Sequence, residues 1–441
     1  MERQSLFGTD GIRGRVGQSP LTPHELMHFG NVLGAWMERR KSNPHILIGY
    51  DTRHSAALVS TTLKAGMLQH PVTLFDGRVI PTPAVFHQVV RGSYDFGIMI
   101  TASHNAYPDN GIKVFTKTTG KLSPGDEKEL TDLYYQEAGT ISYDHLGTEC
   151  QVPDVSEKYV TALSALFPSH FLSGITLVID CGNGAYSSLA PAVLSAFGAH
   201  VITLSANPDG KNINKDCGSL HPALLQETVL KTKAHAGFAF DGDGDRLLAV
   251  ARDGSCKDGD ELLAFLLQHP AYQNETSVVG TVMSNQGFAR YLTDQRKTLE
   301  RTPVGDKHVI EKMKARGALL GGEPSGHLIL RDFTDTADGL FALLRIAQTA
   351  QESTDWNLRS FKKFPHVLLN VPVACKKDLT HPPFATIIAH QQAHVPEGRI
   401  VVRYSGTEPL LRIMVEAETS DQAVTISALL SEELTHALTK E

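Results

Sequence analysis

The stretch Asp241-Gly242-Asp243-Gly244-Asp245-Arg246 sets three carboxylates and an arginine in a glycine-loosened turn between two apolar runs, residues 236–240 and 247–250. Both runs read as strands. Alternate positions along an extended chain send Asp241, Asp243 and Asp245 to one side, and Gly242 and Gly244 let the backbone curl so that three oxygens converge. Hard oxygen ligands suit Mg²⁺, which keeps further coordination positions for water or a phosphate. An EF-hand is excluded by register, because its sixth and twelfth positions would be Arg246 and Arg252, where Gly and Glu are required. Arg246 adds a fixed positive charge beside the cation. Metal and arginine together predict a phosphorylated ligand, and a solvated acidic turn is the competing reading.

Working outward, strands alternate with helices over most of the chain. Thr22-Pro23-His24-Glu25 is a capping box that opens a helix over 22–40. Strand 45–50 ends at Asp51-Thr52-Arg53 and is followed by a helix over 55–69, and Pro81 opens another helix. A short apolar strand, 94–100, runs into Thr101-Ala102-Ser103-His104-Asn105 and then Pro108-Asp109-Asn110-Gly111-Ile112-Lys113. Ser103 at a strand end is either placed for chemistry or caps a turn. The glycines of a hydrolase nucleophile elbow are absent, since Thr101 and Asn105 occupy their positions. The three glycines of residues 7–14 predict a tight loop that brings backbone amides and Arg13 to a ligand.

Periodicity lapses over 139–154, which predicts a boundary. A second unit then carries helix 156–166, strand 175–179, Asp180-Cys181-Gly182-Asn183-Gly184 and helices 187–197 and 223–234. A third starts near Ser255, with helix 260–268, strand 277–283, Val304-Gly305-Asp306-Lys307-His308, Gly322-Glu323-Pro324-Ser325-Gly326-His327 and helix 337–351. Strand, glycine-bearing turn and helix recur at 46–58, 175–190 and 277–290, so three similarly built units are expected. From His366 the pattern changes to strands 367–373, 400–403 and 410–417, closed by helix 421–438. Between two of these strands lies Arg403-Tyr404-Ser405-Gly406-Thr407-Glu408-Pro409. With Arg412 it forms a phosphate cradle or a polar hairpin loop. The expected fold is α/β: three similar domains (1–150, 151–254, 255–365) with mixed, largely parallel sheets, plus a smaller α+β domain at 366–441.

A chain of 441 residues has material for such a division. Hydrophobic residues at 41% and charged residues at 20% exclude a disordered or fibrous class. A net charge of −7 offers no general attraction to nucleic acid or to an anionic membrane, so an anionic ligand needs basic residues gathered locally. Five scattered cysteines argue against a disulfide framework or a zinc site and fit a reducing cytoplasm. No apolar h-region follows Met1 and no long apolar run occurs, so neither secretion nor a membrane span is expected.

Together these motifs resemble the α-D-phosphohexomutase superfamily, and most closely its bacterial phosphoglucosamine mutase branch, from Phe7 to Glu416. The serine loop of that family matches 101–106 with Ala106 for Pro, the metal loop matches 241–246, the sugar loop matches 322–327 with Pro324 unusual, and the phosphate loop matches 403–409 with Tyr404 for Pro. Lys307 and His308 stand where the branch more often has Arg and Tyr. The resemblance implies four domains around one cleft and a phosphoryl group carried by Ser103. Glucosamine 6-phosphate and glucosamine 1-phosphate would interconvert through a 1,6-bisphosphate, feeding UDP-N-acetylglucosamine synthesis. One Mg²⁺ per subunit would be held by Ser103, Asp241, Asp243 and Asp245, with glucosamine or glucose 1,6-bisphosphate as activating donor. Arg13, His104 and Arg246 would support the phosphoryl group. Lys113 would handle a proton or stabilise charge. Glu323, Ser325 and His327 would bind sugar, and Arg403, Ser405, Gly406, Thr407 and Arg412 the phosphate that is not reacting. The partner is a phosphosugar, not nucleic acid or membrane, for a cytoplasmic monomer or homodimer. The alternatives are a phosphomannomutase or phosphoglucomutase of the same superfamily, a haloacid-dehalogenase-type phosphatase with Asp241 as nucleophile, and a non-catalytic phosphosugar binder.

Overall fold

Three of the four sheets repeat one strand order. The first sets Asp109–Thr116, Phe96–Ile100, His45–Tyr50 and Thr73–Val79 side by side, and the second Leu247–Val250, Ala236–Phe240, Thr176–Asp180 and His200–Leu204. The third has Leu328–Leu330, Leu320–Gly322, Ser277–Thr281 and Thr298–Thr302 in the same places. In each set the last three strands are parallel and the first is antiparallel to its neighbour. The computed structural model describes residues 5–8, 10–136, 145–152, 155–405 and 409–439.

This order explains where the motif loops go. Phe96–Ile100 and Ala236–Phe240 are buried along their whole length, which is why they read as unbroken apolar runs. Each is the parallel strand whose carboxyl end turns back into the antiparallel strand, and Leu320–Gly322 is its equivalent in the third sheet. The serine loop, metal loop and sugar loop are therefore the same hairpin in three units, each emerging at the carboxyl end of a parallel strand where α/β sheets gather ligands.

The first sheet has three further strands: Ile12–Arg15 and Gly120–Lys121 beside Asp109–Thr116, and Thr148–Gln151 beside Thr73–Val79. Two sequence expectations change here. The tight loop read over 7–14 is in part a strand, because Ile12–Arg15 is a short polar edge with no alternation to betray it. The polar run after Ser103 likewise becomes strand Asp109–Thr116, whose opening Asp-Asn-Gly looks like turn chemistry. Of the stretch with lapsed periodicity, Thr148–Gln151 pairs with the first sheet, while 139–144 and 153–154 lie outside the described residues.

Local signals hold the helices where the sequence puts them. Thr22 accepts the Glu25 amide and Glu25 returns a bond to the Thr22 amide, capping helix Pro23–Arg40. The second and third sheets share one continuous apolar core running from Tyr159 to Leu358. The fourth unit has its own, built from Phe384, Leu411, Ile413, Val415, Leu430 and Leu434. Its antiparallel sheet runs His366–Pro372, Leu410–Glu416, Arg399–Tyr404, packed by helices Phe384–Ala393 and Ser420–Thr439. Among the described residues no helix is long and apolar enough to cross a membrane.

Candidate active site

Ser103 sits at φ +52, a left-handed conformation that a serine adopts only when its surroundings impose it. Thr101 Oγ1 accepts the Ser103 amide at 2.8 Å and itself donates to Asp51 Oδ2 at 2.6 Å. Arg53, fully buried with Asp51, donates to the carbonyls of Ser103 (2.9 Å), Asn105 (2.8 Å), Ala106 (2.6 Å) and Asp109 (3.0 Å). From the second unit, Asn214 Nδ2 reaches the Ser103 carbonyl at 2.9 Å. The turn is thus capped by Thr101 and Arg53, which leaves the Ser103 hydroxyl free to point across the loop, where it donates to Asp241 Oδ2 at 2.6 Å. His104 Nδ1 lies 3.4 Å from the same hydroxyl, and burial, with Arg246 and Arg13 nearby, pushes that imidazole down to about 4.

Asp241, Asp243 and Asp245 are buried, each with a carboxylate oxygen within 4.8 Å of the others. The two glycines have different jobs. Gly244 (φ +78) provides the left-handed turn, and a side chain on it would lie 2.2 Å from the Tyr186 ring. Gly242 instead permits close approach, since a Cβ there would stand 2.7 Å from the Ser103 carbonyl. Thr82 from the first unit holds Asp243 by its hydroxyl (2.6 Å) and its amide (2.9 Å).

Lys113 faces this cluster from strand Asp109–Thr116, with Nζ 2.7 Å from Asp245, 2.9 Å from Asp243 and 2.8 Å from Asp10. Burial works to neutralise the lysine, but Asp10, Asp243 and Asp245 hold its pKa well above the ordinary value. Asp245 is held well below the usual carboxylate range against its burial, chiefly by Lys113. Asp241 has no such ammonium, and burial, then Asp245 and Asp243, push it well up. Asp243 Oδ1 and Asp245 Oδ1 are buried without a hydrogen-bond partner among the described residues. Three buried carboxylates, with two oxygens lacking a hydrogen-bond partner among the described residues, form a donor set that fits a divalent cation.

A cavity of about 390 Å³ brings Ser103 together with Arg13, His104, Arg246, Asp306, Glu323 and His327. Glu323 accepts the Gly305 amide at 3.2 Å, and His327 lies 3.2 Å from Asp306 and 3.7 Å from Asp245. Ser325 is exposed and does not line this cavity. Arg403, Ser405 and Arg412 do not line it either. In the fourth unit Arg403 stands directly opposite Arg412 across adjacent strands, while Lys376 Nζ caps the Ser405 carbonyl at 3.0 Å. Burial and Arg412 lower the pKa of Arg403. Like charges placed opposite one another destabilise a sheet unless an anion joins them. Gly406 and Thr407 lie outside the described residues.

Sequence reasoning missed Arg53, Asp51, Thr82, Asn214, Asp10 and Asp306. Asp51 and Arg53 stand at a strand end, and Asp10 and Asp306 lie inside glycine-bearing motifs already singled out. Nothing local distinguishes Asn214 or Thr82, which act across more than a hundred residues.

Comparison with known proteins agrees with this geometry. The phosphoglucomutase/phosphomannomutase models for alpha/beta/alpha domains I, II and III match residues 4–139, 157–254 and 258–363, and the C-terminal domain model matches 368–430. The phosphoglucosamine mutase of Lawsonia intracellularis is 36% identical over 97% of this chain and 98% of its own. That of Sphingopyxis alaskensis is 40% identical over 94% and 95%. A solved phosphoglucomutase/phosphomannomutase family protein from Burkholderia thailandensis superposes with a TM-score of 0.82 at 24% identity, covering 100% of this chain and 99% of that one. The chain belongs to the phosphoglucomutase/phosphomannomutase family, within the α-D-phosphohexomutase superfamily.

Proposed function

We propose that this phosphosugar mutase interconverts glucosamine 6-phosphate and glucosamine 1-phosphate by relaying a phosphoryl group through Ser103. The observation that carries the reading is the Ser103 hydroxyl, 2.6 Å from Asp241 and sharing a cavity with Arg13, Arg246 and Glu323. Full-length similarity to phosphoglucosamine mutases, at 36 to 40% identity, selects the amino sugar over the phosphomannomutase and phosphoglucomutase alternatives. It also leaves the dehalogenase-type phosphatase and the non-catalytic binder without support.

In the first half-reaction a free sugar hydroxyl attacks the phosphorus on Ser103, and the second is its reverse at the other end of the sugar, with the Ser103 hydroxyl attacking. In the first, the bond from phosphorus to Ser103 Oγ breaks, a bond to the sugar oxygen forms, and the hydroxyl proton ends on Ser103 Oγ. The bound 1,6-bisphosphate reverses, and its other phosphate returns to the serine. Phosphoryl transfer asks mainly for positioning and charge stabilisation. Arg13 and Arg246 would face the transferring group, and Lys113, beside Asp10, Asp243 and Asp245, would stabilise charge or handle a proton. Mg²⁺ held by Asp241, Asp243, Asp245 and an oxygen of phosphorylated Ser103 would neutralise charge on that group. Glu323 and His327 would orient the sugar, and Ser325 would join them once a sugar fills the cleft. Arg403, Ser405, Gly406, Thr407 and Arg412 would hold the distal phosphate. We divide the chain at 1–150, 151–254, 255–365 and 366–441, one loop from each part. Glucosamine or glucose 1,6-bisphosphate would load the serine, and the product would enter cytoplasmic amino-sugar synthesis, where five free thiols persist.

The test is turnover of glucosamine, glucose and mannose monophosphates by the wild type and Ser103→Ala. The reading expects the glucosamine phosphates to be preferred and the variant to fold but lose turnover. Wild-type-like turnover by the variant would sink the relay.

A further inference from the structure

We infer that Asp306 selects the amino sugar, its carboxylate pairing with the ammonium on carbon 2 of a glucosamine phosphate. This rests on the glucosamine reading above and adds the residue that makes the choice. Four acids line the cavity: Asp10 and Asp245 on the side of Ser103, and Asp306 and Glu323 opposite. Arg13 and Arg246 flank Ser103, where phosphoryl oxygens would gather, while Asp306, Glu323 and His327 come from the third unit. Glu323 accepts the Gly305 amide on one oxygen and is the acid assigned above to the sugar hydroxyls. Asp306 is the other acid on that wall, 7% exposed, in the first turn of helix Asp306–Arg316, where the helix dipole favours a negative charge.

The surroundings of Asp306 show a carboxylate built to be met by cations. Its Oδ2 pairs with Lys121 from the first unit and lies 3.2 Å from His327 Nε2, which leaves Oδ1 as the atom a ligand in the cavity would reach. Lys121 also bonds Asp10 at 3.0 Å, and Asp10 has Lys113 and Arg13 beside it as well. A second ion pair, Lys307 with Glu127, joins the same two units and keeps the 304–308 loop against the cavity. A neutral hydroxyl on carbon 2 could donate one hydrogen bond to Asp306. An ammonium there would bring a full charge to that carboxylate. A charge-assisted bond of this kind discriminates by about ten- to a hundred-fold.

The experiment measures kcat/KM for glucosamine 6-phosphate and glucose 6-phosphate with Mg²⁺ and activating bisphosphate, in the wild type, Asp306→Asn, Asp306→Glu and Lys121→Met. The preference for the amino sugar should fall about ten-fold or more in Asp306→Asn, mainly through KM, and recover in part in Asp306→Glu. Lys121→Met, which breaks the same contact between the walls but leaves the acid, should keep or raise the preference. A preference in Asp306→Asn equal to wild type, or one lost equally in Lys121→Met, would overturn the inference and reduce Asp306 to a strut between the units. If Asp306→Asn turns over too slowly to assay, calorimetric binding of the two 6-phosphates reads the same ratio. A wild type without preference for glucosamine 6-phosphate would overturn the functional reading itself; a wild type with it and an Asp306→Asn that keeps it would overturn this inference alone.

Discussion

Arg53 and Arg403 both stand at strand ends beside loops assigned to phosphate chemistry, and the protein uses them in opposite ways. Arg53 is sealed against Asp51 and spends its donors on the backbone of the serine loop. Arg403 is half-buried, faces a second arginine across the sheet, and belongs to a unit with its own core. That unit meets the third through a small polar joint, in which Glu416 accepts from Asn285 Nδ2 (3.1 Å), the Gln286 amide (3.1 Å) and Arg399 (2.9 Å). The serine, metal and sugar loops are wired together before substrate arrives. The fourth loop stands on a separately built platform, where Arg403 faces Arg412 across the sheet. The difference separates an arginine tied to the backbone of the serine loop from one proposed to hold an anion.

Substitutions can break that contrast. The largest effect is expected in the metal loop. Asp243→Ala removes a proposed ligand and partners of Thr82 and Lys113, and should cost about 10²–10³-fold in kcat, with a higher Mg²⁺ requirement in a metal titration. Undiminished activity after exhaustive chelation would contradict the metal assignment.

Arg53→Ala should act on stability first. It strands the Asp51 carboxylate and four loop carbonyls without their donor, and urea unfolding should show a loss of about 3–5 kcal/mol. Arg403→Ala should do the reverse. Stability should move by less than about 0.5 kcal/mol, because the lost charge also relieves repulsion with Arg412. Meanwhile kcat/KM should fall about 10- to 150-fold as the charge-assisted phosphate contact goes. A large stability loss in Arg403→Ala would mean that both arginines are structural and would dissolve the contrast.

The smallest effect is expected at the joint. Glu416→Gln keeps shape but weakens the bonds to Arg399, and about 1–3 kcal/mol of stability should be lost in thermal or urea unfolding with only a modest change in turnover. A turnover loss matching that of Arg403→Ala would show that the joint sets the position of the fourth loop.

What could be read in the chain follows the same division. Ala236–Phe240 and Phe96–Ile100 announce themselves as apolar runs because they are covered on both faces, and the loops behind them were legible as motifs. Thr73–Val79 and Thr298–Thr302 were not legible, since they are only partly covered and mix charged with apolar residues. The recurrence of strand, turn and helix was faint in sequence because only the central strand of each unit and its helix repeat the pattern; the shared four-strand order appears once pairing is known. Arg53 could be seen at a strand end, but its role depends on carbonyls about fifty residues away. The Glu416 joint spans 131 residues to Asn285 and leaves no local trace.

The central claim is that Ser103 carries the phosphoryl group, and the most direct measurement is intact mass after incubation with glucose 1,6-bisphosphate and Mg²⁺. The wild type should gain one phosphoryl group and surrender it to glucosamine 6-phosphate, with Ser103→Ala gaining none. A Ser103→Ala protein that still takes up one phosphoryl group and passes it to the sugar would contradict the account.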